Sequence, residues 1–269
     1  MGQEAIVITF RQHPRMVLGQ DAESLRLLNS PEEKRALLQA YGIGRVEYID
    51  FTPQFAALTT GEYLQMLKSD YDAEAVVIGY DNRIGSDQLT PAETAAVARE
   101  AGLVPIIAPA TDAAISSTRI RCALEEGRIA EANAMLGYAY RLSGIVVHGN
   151  KLGRTLGYPT ANMRVDDALK QIPGNGVYLV KVQLPDGLHW GMTNIGMRPT
   201  VGGSVLTVET HIFDFAQEIY DHAMTIDFVR RLRAEQRFGS LEELKKNLAA
   251  DEVRCREILK RYSVIQVLV

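Results

Sequence analysis

The sequence is poor in cysteine and in aromatic residues, and neither sign of charge dominates it. Only two of its 269 residues are cysteines, Cys122 and Cys255, which stand far apart without the spacing of metal ligands. This predicts reduced thiols in a cytoplasmic protein and no disulfide framework. The formal net charge of −4 argues against a general binder of nucleic acid or of anionic membranes. No apolar run approaches the length of a membrane span, and no signal peptide is evident.

Short β-branched runs alternate with helical segments in the first half of the sequence. The runs lie at 5–10, 46–50, 75–79 and 104–108, and they lack polar alternation, as buried parallel strands do. This order of elements predicts a three-layer α/β sandwich.

The helices between these strands carry start and stop signals. Ser30, Thr59 and Thr90 are each followed three residues later by Glu, the pattern of a capping box. Gly42 and Gly102 stand where left-handed caps would end two of the helices. The caps therefore support the alternation of strands and helices.

The second half of the sequence changes pattern and predicts a small β-barrel followed by a helix from Ser240. Two short helices, ending near Gly127 and Gly137, precede this change. We therefore expect two domains, at 1–137 and 138–269. The strands are expected at 141–147, 177–184, 188–195, 205–213 and 223–229.

One stretch of fourteen residues, at 149–162, combines glycines, cations and oxygen donors: Gly-Asn-Lys-Leu-Gly-Arg-Thr-Leu-Gly-Tyr-Pro-Thr-Ala-Asn. Glycines let backbone N–H groups approach an anion closely, and Lys and Arg neutralise it. Hydroxyl and amide oxygens suit the hard cation Mg²⁺. The stretch indicates a site for a nucleotide polyphosphate with its metal, although a glycine-rich surface loop remains an alternative. The candidate residues are Gly149, Lys151, Gly153, Arg154, Gly157, Thr160 and Asn162.

Glu209 is the candidate for acid–base chemistry. In the run from Val208 to Phe213 the residues alternate, so that if Val208 and its alternate neighbours face the core, Glu209 and His211 face a groove or solvent. Such a carboxylate could accept the proton of an attacking hydroxyl, or it could be a solvated strand residue. Asn194 and Arg198 could line the same groove or serve a turn.

The first half has its own candidate ligand contacts. His13 follows the first strand, and Asp81 and Arg83 follow a later one, at the strand ends where open α/β sheets bind ligands. A helix start with hydroxyls and a cation favours an anion, although capping alone would explain a hydroxyl there. That helix start contains Ser116, Ser117, Thr118 and Arg119.

Together these motifs resemble the prokaryotic bifunctional riboflavin kinase/FAD synthetase family over nearly the whole sequence. The glycine-rich stretch ending in Pro-Thr-Ala-Asn is similar to the loop of its kinase module, and several motifs follow in family order. The kinase-like motifs after it lie at 194–200, 208–211 and 232–238. The motifs that resemble the FMN adenylyltransferase module lie at 9–14, 79–83 and 115–121.

The resemblance implies a nucleotidyltransferase-like doubly wound parallel sheet, incomplete here, followed by a small antiparallel β-barrel with a C-terminal helix. It implies ATP-dependent phosphorylation of riboflavin to FMN, with Thr160 and Asn162 holding Mg²⁺ and Glu209 acting as the base. Riboflavin and ATP would be the small-molecule partners, with no nucleic acid and no membrane involved, and a homo-oligomer is compatible. Asn194, Arg198 and Glu209 would bind the flavin.

The sequence departs from the family because it contains no His-x-Gly-His signature, which family members carry after their first strand. We therefore expect an adenylyltransferase module that lacks this segment, and FMN adenylylation to FAD is in doubt. Either an upstream segment is missing from the sequence, which would restore a bifunctional enzyme, or the first domain is degenerate. A non-catalytic module that binds a flavin or a nucleotide remains an alternative.

Overall fold

The computed structural model describes residues 4–17, 19, 25–110, 112, 114–149, 152–200 and 203–266. The chain divides into two compact units. The first contains Met1–Leu25 and Lys34–Ala114, and the second contains Arg26–Glu33 and Ile115–Val269. The domain boundary that the sequence predicts, between residues 137 and 138, stays a prediction.

Strands and helices alternate through the first part of the chain, as the sequence predicts. The predicted strand bounds agree with the structure to within one residue. In chain order the elements are β1 (Ile6–Phe10), α1 (Pro14–Val17), α2 (Pro31–Ala40), β2 (Arg45–Ile49), α3 (Pro53–Ala56), α4 (Thr60–Tyr71), β3 (Ala75–Gly79), α5 (Pro91–Glu100) and β4 (Val104–Ala108).

The parallel strands form two separate pairs, β1 with β2 and β3 with β4. The predicted sandwich therefore has no continuous central sheet among the described residues, and β1 and β3 each pair on one side only there. On β3, Val76 and Ile78 are buried while Val77 is 66% exposed. One face of that pair packs under helices α4 and α5, through residues such as Leu64 and Ala98.

The predicted helix caps form. Thr59 and Thr90 each accept a hydrogen bond from the backbone N–H three residues on, and the Glu at that position accepts one in return. Ser30 and Glu33 exchange the same two bonds at the start of α2. Gly42 and Gly102 take the left-handed conformation with φ of 86° and 77°.

The second unit contains three short helices, a closed six-stranded barrel and a long C-terminal helix. The barrel order is β10-β5-β6-β9-β8-β7, with antiparallel neighbours throughout. The elements are α6 (Ser117–Glu125), α7 (Ile129–Leu136), β5 (Arg141–Val147), α8 (Leu152–Thr155), β6 (Ala161–Val165), β7 (Gly176–Leu184), β8 (Gly187–Thr200), β9 (Gly203–Ile212), β10 (Ala223–Arg233) and α9 (Leu241–Gln266).

The barrel and its terminal helix confirm the predicted fold class, but several strands differ from those expected, and β10 continues four residues beyond its predicted end, to Arg233. β6 was not among the expected strands, because it is five residues long and polar at Asn162 and Arg164. β8 continues to Thr200 and pairs there with Gly203 of β9, so the hairpin is longer than its apolar core pattern predicts.

A buried ion pair fixes the segment Arg26–Glu33 to the barrel. The side chains of Lys170 and Glu33 are 1% and 4% exposed, and the Lys170 ammonium donates to the Glu33 carboxylate and to the carbonyl of Leu28. The ammonium also lies 4.5 Å from the centre of the Tyr140 ring. Burial lowers the pKa of Lys170, an effect that the charge of Glu33 opposes.

We expect Lys170→Met to destabilise the second unit by about 3–5 kcal/mol, because Glu33 would remain buried as an unpaired charge. The double variant Lys170→Met/Glu33→Gln should lose less than this. The single tryptophan, Trp190, lies in β8, so its fluorescence during denaturant unfolding reports on this unit. Arg128→Met, which removes an exposed ion pair with Glu131, is the control and should cost less than about 1 kcal/mol. Equal losses in the two single variants would contradict the assignment.

Candidate active site

Three polar residues form a row across three neighbouring strands of the barrel. Asn162 of β6 and Asn194 of β8 are both register partners of Glu209 in β9. Directly opposite residues of antiparallel strands carry their side chains on the same face, with Cβ atoms about 5 Å apart. The register alone therefore brings these three side chains together, although they are far apart in the sequence.

The row lies on the outer face because the alternate residues of β9 fill the barrel. Val208 and Ile212 are buried in its core, and the hydroxyl of Thr210 lies 2.8 Å from that of Thr193 on β8. The side chain of Glu209 is 25% exposed. The predicted alternation is confirmed for these residues.

Phe213 is also buried, in a separate cluster beneath helix α9. Cys255 of that helix is completely buried in the same cluster, and burial raises the pKa of its thiol to about 12. Both cysteines are free thiols, as expected, and Cys122 is exposed.

The glycine-rich stretch approaches Asn162 closely. A Cβ atom on Gly149 would lie 2.3 Å from the amide nitrogen of Asn162, so a side chain there would displace that amide. A Cβ on Gly153 would lie 2.2 Å from the carbonyl oxygen of Tyr158. Gly157 has φ of 84°, a conformation that favours glycine. The glycines therefore allow the loop to fold against the row.

The structure describes only one of the two cationic residues predicted in this stretch. Arg154 lies on the short helix α8 and is exposed. Lys151 lies outside the described residues.

Arg198 and Thr160 complete a hydrogen-bonded cluster around Glu209. The Arg198 guanidinium donates through Nη2 to Asn162 Oδ1 at 3.1 Å and forms an ion pair with Glu209 Oε1. The Thr160 hydroxyl donates to Glu209 Oε2 at 3.4 Å. The cluster therefore contains one carboxylate, one guanidinium, one amide and one hydroxyl.

A cleft of about 560 Å³ adjoins the row at His211, two residues along β9 from Glu209. His211 Nδ1 donates to the carbonyl of Pro159 at 2.8 Å, and the His211 and Tyr158 ring centres lie 5.1 Å apart. The remaining walls come from the segment after β9 and from α9, and they include Asp214, Phe215, Lys245, Glu252 and Arg256.

Sequence reasoning missed this cleft, because no spacing in the sequence links α9 to the glycine-rich stretch. Its polar wall is firmly held: the Arg256 guanidinium donates to Asp214 and to Glu252, and these bonds raise the pKa of Arg256. Burial, with the charge of Glu252, raises the pKa of Tyr158. Of the residues that line the cleft, sequence patterns had singled out Gly157 and His211.

The candidates of the first unit are His13, Asp81 and Arg83. His13 directly precedes α1, and its ring nitrogen Nδ1 accepts a hydrogen bond from the backbone N–H of Arg15. Asp81 and Arg83 follow β3 and are exposed, and the Arg83 guanidinium donates to the carbonyl of Gln88 at 3.2 Å. All three therefore lie after the carboxyl ends of parallel strands, as expected.

The helix-start candidates belong to the second unit. Ser116 is the N-cap of α6, and its hydroxyl accepts from the backbone N–H of Arg119 at 3.3 Å. Capping accounts for Ser116, while Ser117, Thr118 and Arg119 are exposed in the first turn of the helix.

The described part of the chain contains no helix long and apolar enough to cross a bilayer. Within the same residues no three His, Cys, Asp or Glu side chains are grouped as metal ligands would be.

Two family models match the chain. One described as riboflavin kinase matches residues 136–259, and one described as FAD synthetase matches residues 1–119. The second match contains the module that was expected to lack its N-terminal segment, and it does not support that expectation.

Relatives and a solved structure match over most of the chain. A bifunctional riboflavin kinase/FMN adenylyltransferase of Listeria monocytogenes is 36% identical over 256 residues, which covers 93% of this chain and 81% of the relative. The protein of the same name from Escherichia coli K12 is 34% identical, covering 94% and 82%. A crystal structure titled as a macrolide-efflux protein from Streptococcus pneumoniae aligns with a TM-score of 0.86 at 34% identity, covering 94% and 83%.

The packing of Gly153 against Tyr158 generates a prediction. Gly153→Ala should destabilise the second unit by about 1–3 kcal/mol, because the added methyl group meets backbone and the loop must open. Gly239→Ala is the matched control, since a Cβ there would meet only Glu243 Oε2 at an ordinary 3.6 Å. Unfolding followed by Trp190 fluorescence measures both variants. An effect of Gly153→Ala no larger than that of the control would show that this contact does not constrain the loop.

Proposed function

We propose a mechanism by which this chain phosphorylates riboflavin. The chain belongs to the bifunctional riboflavin kinase/FMN adenylyltransferase family, and its second unit contains the riboflavin kinase domain. The reaction transfers the γ-phosphoryl group of ATP to the 5′-hydroxyl of the ribityl chain. The observation that carries the assignment is the convergence of Thr160, Asn162 and Glu209 from two paired strands.

Thr160 and Asn162 are suited to hold Mg²⁺ together with the phosphates of ATP. Mg²⁺ takes oxygen ligands and keeps several waters, so one or two protein oxygens plus substrate phosphates suffice. The Thr160 hydroxyl donates to Glu209 Oε2 at 3.4 Å, and the Asn162 amide oxygen accepts from the Arg198 guanidinium, which also pairs with Glu209 Oε1. When bound, the ion would neutralise charge on the transferred phosphoryl group.

Glu209 is the proposed general base. Its carboxylate would accept the proton of the 5′-hydroxyl as that oxygen attacks the γ-phosphorus, while the bond to the β-phosphate oxygen breaks and ADP leaves. Phosphoryl transfer depends mainly on positioning and on charge neutralisation, so the register of β6 and β9 is the main contribution of the fold.

The two sides of Glu209 give the substrates separate positions. On the β6 side, the loop of Gly149, Gly153 and Gly157 would admit the phosphates, with Lys151 and Arg154 supplying positive charge. On the β8 side, Asn194 would face the flavin. Glu209 lies between these two sides, where its carboxylate could reach the hydroxyl group that attacks the phosphate.

We expect Glu209→Gln to reduce kcat by about 10²–10⁴-fold, the usual contribution of a positioned general base. The amide keeps the shape of the side chain, so binding of ATP should be retained. Steady-state formation of FMN from riboflavin and ATP measures the change. Glu218→Gln, at an exposed carboxylate in the segment after β9, is the control and should behave as wild type. Turnover of Glu209→Gln near that of the control would remove Glu209 from the mechanism.

A second candidate activity is the adenylylation of FMN to FAD. The FAD synthetase match over residues 1–119 favours it. We propose it as a second activity of the chain, separate from the kinase reaction of the second unit.

Separate assays of the two half-reactions distinguish the candidates. With riboflavin, ATP and Mg²⁺, chromatography should detect FMN and ADP. With FMN, ATP and Mg²⁺, it should detect FAD and pyrophosphate, whereas formation of FMN alone would limit the chain to the kinase reaction. FAD formed at a rate similar to that of FMN would establish the bifunctional enzyme, and riboflavin binding without release of ADP would indicate a non-catalytic module.

A further inference from the structure

We propose that Arg198 is a positioning residue that competes with the metal ion for Asn162 and with the substrate hydroxyl for Glu209, and that it transfers to a phosphate oxygen when Mg·ATP binds. The inference rests on the proposed function, because that function assigns Asn162 to the metal and Glu209 to the hydroxyl. It adds to the proposed mechanism a residue, Arg198, whose hydrogen-bond acceptors change when Mg·ATP binds.

The hydrogen bonds of Arg198 carry the argument. One nitrogen, Nη2, bridges Asn162 Oδ1 at 3.1 Å and Glu209 Oε1. A guanidinium has no acceptor atom, and its cationic N–H groups occupy the lone pairs that a metal ion or a hydroxyl proton would use. Arg198 therefore competes with the reactants for Asn162 Oδ1 and Glu209 Oε1, because its positive charge beside these atoms opposes a second cation or a proton there.

The position of Arg198 allows such a change of partner. It lies on β8 four residues from Asn194, on the same face of the strand, in the part of the hairpin that pairs only with β9. Its side chain is 27% exposed and that of Glu209 is 25% exposed. Ion pairs with this access to water contribute little to stability, so an incoming ligand can replace the contact.

An arginine side chain is suited to bind a phosphate oxygen once it has left Asn162 and Glu209. A guanidinium remains charged at any working pH and binds phosphate oxygens through a planar fork of donors. Once Asn162 turns to the metal and Glu209 to the hydroxyl, the nearest new anions are the phosphates of ATP. Arg198 would then neutralise charge on the group being transferred.

The two roles predict opposite effects of one substitution. In Arg198→Gln the competition is lost, so Mn²⁺, used as a spectroscopic probe without nucleotide, should bind about three- to tenfold more tightly than in wild type. The same variant should lose kcat for riboflavin phosphorylation by about tenfold or more, because the transferred group loses a cation. A residue that only supports the fold would not tighten metal binding.

Arg164→Gln is the matched control. Arg164 lies two residues from Asn162 on the same face of β6 and is exposed, so its removal changes the local charge equally without freeing Asn162 or Glu209. Electron paramagnetic resonance titration of free Mn²⁺ should give a smaller increase in affinity for Arg164→Gln than for Arg198→Gln. Trp190 fluorescence verifies that both variants are folded.

Equal Mn²⁺ affinities in Arg198→Gln and Arg164→Gln, or no Mn²⁺ binding by Arg198→Gln, would overturn the inference. So would tighter binding without a loss of kcat, since the phosphate role would then be absent. The effect of Glu209→Gln on kcat is measured independently, so these results leave the proposed function standing. A failure of that function would appear instead as unchanged turnover in Glu209→Gln.

Discussion

The pairing of β9 with β6 on one side and β8 on the other is the constraint on which the site depends. Closure of the barrel fixes this register, and the register places Asn162, Glu209 and Asn194 in one row. A slip of one residue would turn Glu209 into the core and expose Val208, at a large cost in buried apolar surface. Packing inside the barrel and chemistry outside it are therefore specified by the same hydrogen bonds.

Close approach of the glycine-rich loop is the second requirement of the site, and it follows from the first. Asn162 faces outward because Met163 faces the core, and the loop can lie against it only where Gly149 has no side chain. The buried ion pair of Lys170 and Glu33 acts elsewhere on the barrel, where it ties down a segment from early in the chain. The glycine-rich loop and the buried ion pair therefore contact different parts of the second unit.

Elements governed by local physics could be predicted from the sequence, and those governed by assembly could not. Capping boxes at Thr59 and Thr90 and the strand β3 depend on neighbouring residues, and their predicted positions agree with the structure. The strand β6 is short and half polar, so its pairing with β5 and β9 decides its conformation. The separation of the parallel strands into two pairs likewise depends on long-range pairing that no local pattern records.

The same distinction applies to the site. The alternation around Glu209 predicted its face correctly, and of the candidates at 149–162 the structure places Thr160 and Asn162 beside Glu209. Arg198 was predicted as a groove or turn residue and, by resemblance, as a flavin contact. Its bond to Glu209 was not predicted, because a strand pattern cannot show which distant carboxylate a long side chain will reach. Its bridge between Asn162 and Glu209 makes the cluster electrically balanced without any ligand, since one guanidinium faces one carboxylate. A substrate that brings charge to this face would have to reorganise that balance, so the response of the site to charge would depend on this barrel face as well as on the substrate.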